Sequence, residues 1–213
     1  MTDEVARVPD ASCPFCNPSK DVEGIIVEDK KLYVVPSLGQ ITDGGYLLVI
    51  PKAHVSCLRA LGGAAAAEFE QVIQIVRHWL IREYRVPVVG FEHGIVGQTV
   101  KHAHYHLVPS QKIAAWGSLS RRVRKDFPEA SFELCPSLYH IAVRYAERQE
   151  PYLLWNSGFC YEVCWNPPAP PQYFRTVAAE ILGRPERANW RTMDAELDRK
   201  LVQETTRRMR LYF

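Results

Sequence analysis

His102, His104 and His106 occupy every second position of the run His102-Ala103-His104-Tyr105-His106-Leu107-Val108. In an extended strand alternate side chains share a face, so the three imidazoles would line one side while Ala103, Tyr105 and Leu107 fill the other. Imidazoles on a buried strand bring ring nitrogens that need partners. Phosphoryl chemistry or metal binding has a use for that arrangement, and a purely structural core has little. His104, central in the row, is the natural nucleophile. A neutral imidazole attacks phosphorus when an acceptor, commonly a backbone carbonyl, keeps its other nitrogen protonated. His106 would then hold phosphate oxygens or assist the leaving group.

Two further signals flank the trio. Cys13 and Cys16 have the C-x-x-C spacing that lets two thiolates grip one tetrahedral metal, although a redox pair or two free thiols in a loop have the same spacing. With a single such pair, the other ligands must come from elsewhere. His54, which ends Val49-Ile50-Pro51-Lys52-Ala53-His54, and His102 are the candidates. That set would make a closed, structural zinc site that fixes His102 and leaves His104 and His106 free. The rival is one catalytic metal held by all three strand histidines. The second signal is the turn Gly94-Ile95-Val96-Gly97-Gln98-Thr99-Val100, whose glycines bring backbone N–H groups near an anion while Gln98 and Thr99 add side-chain donors.

The elements that must position these groups can be sketched from periodicity. Strands are expected at 24–28, 32–35, 46–50, 88–92 and 101–108. The clearest helix is 64–84, where Phe69, Val72, Ile73, Val76 and Leu80 recur at helical spacing before Pro87. Beyond Pro109, residues 112–135 read as a long polar connection and 139–145 as ambiguous. Paired strands follow at 151–155 and 159–165 around Asn156-Ser157-Gly158. A helix is then expected from near Pro171, a residue tolerated in the first turn, to Gly183, and another from about 193 towards 209. The fold class is α+β: an antiparallel sheet with one long crossover helix, plus a C-terminal strand and helix extension. Residues 1–12 are expected to be flexible, 13–110 to form the chemistry-bearing domain, and 111–213 to pack on it.

Composition narrows the function. The 213 residues are 47% apolar and 23% charged, with a net charge of +2, which gives no case for a nucleic-acid partner. The basic block Arg121-Arg122-Val123-Arg124-Lys125 reads first as a solvated loop or helix face. The polar start Met1-Thr2-Asp3-Glu4 and the lack of a long apolar run point to the cytoplasm and away from a membrane. In that compartment the six cysteines read as thiols or metal ligands rather than a disulfide framework.

The stretch from Gly97 to Val108, with Gln98, Thr99 and the three histidines, resembles the signature of the histidine triad (HIT) superfamily. Leu47-Leu48-Val49-Ile50-Pro51-Lys52-Ala53-His54 is similar to the strand and turn before that family's crossover helix, and Cys13 with Cys16 resembles its zinc-bearing branches. The resemblance, to a zinc-bearing bacterial HIT-domain protein with a C-terminal extension, covers roughly residues 13–110. It implies a nucleotide-binding fold, a homodimer, and attack by the middle histidine on a nucleotide α-phosphate through a nucleotidyl-histidine intermediate. Carried over, His104 is the nucleophile, Gln98, Thr99 and His106 contact phosphate, and His102 and His54 join Cys13 and Cys16 on structural zinc. Branches with glutamine at the third triad position tend to be transferases, so His106 leans towards hydrolysis.

Two departures stand out. Pro36-Ser37-Leu38-Gly39-Gln40 lies where small members carry the acidic residue that holds ribose, and Phe91-Glu92-His93-Gly94 replaces an asparagine-containing turn, with Glu92 as the stand-in. Pro171-Gln172-Tyr173-Phe174-Arg175 and Asn189-Trp190-Arg191 resemble segments of longer bacterial members. Gln172 and Arg175 sit three apart at a helix start, a geometry suited to phosphate. The expected activity is nucleotide hydrolysis at the α-phosphate, of a phosphoramidate or a dinucleoside polyphosphate. The alternatives are a nucleotidyltransferase or phosphorylase using the same histidine, and a non-enzymatic zinc and nucleotide-binding module.

Overall fold

A computed structural model of the chain describes residues 9–16, 24–156, 158 and 160–213. Most of the N-terminal segment expected to be flexible, and Ser157 and Phe159 of the expected hairpin, lie outside the described residues.

The strands are β1 (Val27–Glu28), β2 (Leu32–Pro36), β3 (Leu47–Pro51), β4 (Val88–Gly94), β5 (Tyr105–Pro109), β6 (Ser131–Cys135), β7 (Tyr152–Asn156) and β8 (Tyr161–Trp165). They form one antiparallel sheet in the order β1-β2-β3-β5-β4-β7-β8-β6. The strands of the extension therefore do not form a sheet of their own. They continue the sheet, with β7 pairing β4 from Gly90↔Asn156 to Gly94↔Tyr152. Both edges of β4 are taken, by β5 and β7.

The long helix α1 (Gly63–Tyr84) matches its expected span within a residue. Phe69, Ile73, Val76 and Leu80 are buried on its inner side, each worth about 1.5–3 kcal/mol on leaving water. The helix stops where Arg85 turns left-handed two residues before Pro87. It covers one face of the sheet, where Val34, Leu47, Val49, Tyr105 and Leu107 meet it. The other face, with Val35, Tyr46, Leu48, Phe91 and Trp155, is covered by Phe174, Val177 and Ala178. These come from a helix of the extension.

Residues 112–135 are not a loop. They fold as α2 (Gln111–Ala114), a short helical turn, α3 (Ser118–Asp126) and β6. Leu119 and Val123 anchor α3 against the second face, while its arginines sit outside. Arg122 pairs with Asp126 and Glu180, and Arg124 with Glu162, so the basic block is a helix face with partners rather than an open patch. The ambiguous 139–145 stretch is α4 (Leu138–Arg144), capped by the Ser137 side chain.

The extension ends in α5 (Tyr173–Leu182) and α6 (Ala195–Met209). Helix α5 begins two residues later than Pro171 suggests, because Gln172 takes a left-handed conformation (φ 62°) that cannot continue a helix. Gly183 (φ 74°) closes it as expected. No described helix is long and apolar enough to cross a membrane.

Candidate functional site

Strand β5 starts at Tyr105, so only His106 of the trio lies within it. His102 and His104 belong to the extended approach to the strand, and the alternation persists through it. Ala103, Tyr105 and Leu107 pack towards α1, whereas His104 and His106 open onto a cavity of about 310 Å³ on the opposite face. The cavity is walled by the Gly97–Val100 turn, by Val35, Ser37 and Leu48 from β2, β3 and the loop after β2, and by Phe15. Gln172, Arg175 and Trp190 close it from the extension.

Nδ1–H of His104 donates to the carbonyl of His102 at 2.7 Å. That bond fixes the tautomer and leaves Nε2, with its lone pair, as the nitrogen without a partner among the described residues. Burial, helped by the nearby Arg175 charge, lowers the His104 pKa to about 4, so the ring is neutral near pH 7. His106 lies 4.8 Å from it between ring centroids, stacked on Phe91 at 4.5 Å. The Nδ1 of His106 is 2.7 Å from the Tyr46 hydroxyl. Its Nε2 is buried with no partner, an orphaned polar atom of the kind a bound ligand satisfies. Burial, then the neighbouring His104, His93 and Arg175, holds His106 well below its ordinary pKa.

Cys13, Cys16, His54 and His102 are brought together as the spacing argument expects, with one ligand atom from each within 4.8 Å of all the others. Cys13 Sγ and Cys16 Sγ lie 3.5 and 3.6 Å from His102 Nδ1, and Cys16 Sγ lies 3.1 Å from His54 Nδ1. Two ligands of a tetrahedral zinc, at ordinary Zn–S and Zn–N lengths, stand about 3.5 Å apart. Nε2–H of His102 donates to Pro51 O at 2.7 Å, which leaves Nδ1 unprotonated and facing the sulfurs. The donor set and its spacing fit a metal ion. Among the described residues His104 and His106 are outside this cluster, so the rival catalytic metal held by all three is not assembled.

Gln98 and Thr99 line the cavity, with the Gln98 amide tied to Ser56 O at 2.7 Å. Gly97 has φ +74°, and a Cβ there would stand 2.9 Å from Pro170 O, so the turn at this point requires glycine. The N–H of Gln172 donates to Gly97 O at 2.8 Å, joining that turn to the start of α5.

Glu92 is a correction. On β4 it alternates with Phe91 and His93, so it points to the α1 side while His93 takes the cavity. Fully buried, its carboxyl accepts from Leu58 N–H and Tyr152 O–H, both at 2.7 Å. It contacts no phosphate position. Burial, only partly offset by those bonds, raises its pKa to about 7. Between about pH 4.5 and 7 the folded chain keeps this proton while the unfolded chain releases it, so stability falls as pH rises. The loss amounts to about 3 kcal/mol once both states are ionised. Denaturant unfolding at pH 5 and pH 8 should show the decline, and Glu92→Gln should flatten it. An unchanged slope in that variant would mean another group is responsible.

His93, Tyr46, Phe15, Ser37 and Trp190 are site residues that motif spacing missed. His93 Nε2 accepts from the N–H of Phe174 at 3.1 Å, so it caps an orphan donor in the first turn of α5. Burial lowers its pKa to about 3. Phe15, between the two cysteines, meets His104 edge-on at 5.1 Å. The C-x-F-C phrase and the Phe91, His93 parity were the available signals; Ser37 and Trp190 lie in segments quoted for the resemblance without a role, and Tyr46 had no signal.

The sequence of residues 22–113 matches the family model described as HIT domain. Similar solved structures include a HIT family member from Bacillus subtilis, 23% identical over 47% of this chain and 74% of that one, with a TM-score of 0.43. A HIT family protein from Bacillus anthracis is 27% identical over 46% and 73%, with a TM-score of 0.41. A HIT family hydrolase from Clostridium thermocellum is 21% identical over 47% and 92%, with a TM-score of 0.39.

Proposed function

From the match of residues 22–113 to the HIT domain model, we propose that the chain is a nucleotide hydrolase acting at the α-phosphate through a nucleotidyl group carried on His104. The single observation that carries this reading is the His104 ring: Nδ1 committed to the His102 carbonyl at 2.7 Å and Nε2 left for a cavity. Nε2 attacks phosphorus, and the Nδ1 bond strengthens as positive charge develops on the ring. Tyr46 donates to Nδ1 of His106, leaving Nε2–H of that ring to hold a phosphate oxygen. Gln98, Thr99 and the Gly97 turn supply further donors. Water then discharges the intermediate; a nucleotidyltransferase would differ only in the acceptor.

Zinc is the proposed occupant of the Cys13, Cys16, His54 and His102 cluster. When bound it supplies no chemistry to substrate and crosslinks the N-terminal knuckle to the segment that orients His104. In this proposal residues 13–110 do the chemistry and 111–213 shape the leaving side of the cavity. The cytoplasmic setting and homodimer belong to the same reading, and a homodimer must use a surface other than the two edges of β4.

Incubation with a nucleotide labelled at the α-phosphate, quenched in alkali, should place the label on a peptide containing His104. Turnover without any such adduct in the wild type, and unimpaired in His104→Ala, would overturn the mechanism.

A further inference from the structure

Two buried side-chain atoms of cavity-lining residues have no hydrogen-bond partner among the described residues: His106 Nε2 and Gln172 Oε1. They call for opposite ligands. In the reading above, Nε2–H of His106 donates to a phosphate oxygen. An amide oxygen can only accept, and a phosphate oxygen repels it. The phosphate contact expected of Gln172 from its place at a helix start is therefore not one that Oε1 can make. This atom needs a ligand that brings a hydrogen.

The backbone holds Gln172 firmly in place. Its N–H donates to Gly97 O at 2.8 Å, and its carbonyl accepts from Thr176 N–H at 3.0 Å. Its φ of 62° is one that residues other than glycine rarely adopt, and such conformations cluster at working sites. The side chain is not spent on capping α5, because His93 Nε2 takes the Phe174 N–H at 3.1 Å. Neighbouring groups on the wall are otherwise engaged. Ser37 Oγ donates to Leu38 O and accepts from Arg175, which itself can only donate.

We propose that Gln172 holds the water that discharges His104, its Oε1 accepting one water O–H so that the water oxygen faces phosphorus. This rests on His104 as the nucleophile. Two successive in-line displacements at one phosphorus share a side: the leaving group departs opposite Nε2, and water enters through the same space. Gln172 belongs to the extension, which shapes that side in the reading above. Leaving groups differ between substrates, but water brings its hydrogens to every turnover. The water oxygen bonds to phosphorus as the P–Nε2 bond breaks, and the electron pair returns to the ring. One hydrogen stays on the new phosphate oxygen, against Oε1, while the other leaves as a proton to solvent. An amide oxygen is too weak a base to take that proton, so Gln172 orients the water and does not titrate.

The test uses Gln172→Met, which keeps the volume and removes the oxygen, and Gln172→Glu, which keeps an acceptor. The probe is diadenosine triphosphate or adenosine 5′-phosphoramidate, labelled at the α-phosphate. Gln172→Met should lower kcat by about 10–100-fold. Its kcat/KM should stay within about threefold of wild type, because that ratio counts steps only up to departure of the leaving group. Labelled His104 should accumulate on most chains at steady state, and release of label from the preformed adduct should slow in step with kcat. Gln172→Glu should release it faster than Gln172→Met. A merely structural role would lower kcat and kcat/KM together without accumulation. That result would overturn the proposal, as would an unchanged release rate or release no faster in Gln172→Glu. If His104 still takes the label in those cases, the nucleophile stands and only the water site is lost. If His104 takes no label even in the wild type, both fail.

Discussion

His104→Ala is expected to lower nucleotide turnover by about 10⁴-fold or more while the chain keeps its fold and the proposed zinc. The ring makes one hydrogen bond, to the His102 carbonyl at 2.7 Å, and packs edge-on to Phe15 at 5.1 Å. Losing those contacts beside an existing cavity costs about 1–2 kcal/mol of stability. A 10⁴-fold rate effect is about 5.5 kcal/mol of transition-state stabilisation, so packing alone falls far short. The decisive comparison is kcat against unfolding midpoint for His104→Ala and His106→Ala. The first should collapse in kcat, and the second should fall less, because in the proposed mechanism His106 holds oxygens and forms no bond to phosphorus. A residual rate above about one part in a hundred for His104→Ala would make its role positional.

Cys13→Ser is expected to release the metal and unfasten one wall of the cavity. Wild type should carry about one zinc per chain, and the variant almost none. Structural zinc sites contribute several kcal/mol or more to folding, so the unfolding midpoint should drop well beyond the effect of a single lost thiol contact. The kinetic signature differs from that of the nucleophile. Phe15 stands between Cys13 and Cys16 and walls the cavity, so loss of the proposed metal should raise KM strongly. At saturating substrate His104 should still accept the nucleotidyl label. If chelation instead abolishes labelling outright while the fold persists, the metal takes part in the chemistry. Tightly folded wild type without bound metal would remove the zinc claim and leave His104 untouched.

Much of the part that matches the HIT domain model was legible because its signals are local. Helix α1 is written in the spacing of Phe69, Ile73, Val76 and Leu80, and the facing of His104 and His106 away from Tyr105 follows from alternation alone. Cys13, Cys16, His54 and His102 could be grouped by chemistry, since thiolates and imidazoles have few other reasons to be spare. Glu92 failed for a physical reason. Both faces of the sheet are covered, so β4 is buried along its whole length and shows no apolar and polar alternation to fix its parity. Nothing local on β4 therefore tells whether Glu92 or His93 faces the cavity. Residues 112–135 misread because α3 is short and arginine-rich, and only Leu119 and Val123 report its buried side.

By itself, then, the sequence determined the identity and order of the candidate groups: which imidazole stands between its neighbours, and which sulfurs and nitrogens can share an ion. Tertiary structure alone decided what surrounds them. Arg175 meets Ser37 across 138 residues of chain, and β7 joins the sheet beside β4 rather than lying over it. Spacing along a strand or helix is set by backbone geometry within a few residues. The meeting of distant segments depends on which surfaces the whole chain can bury at once, and no short run of residues encodes that.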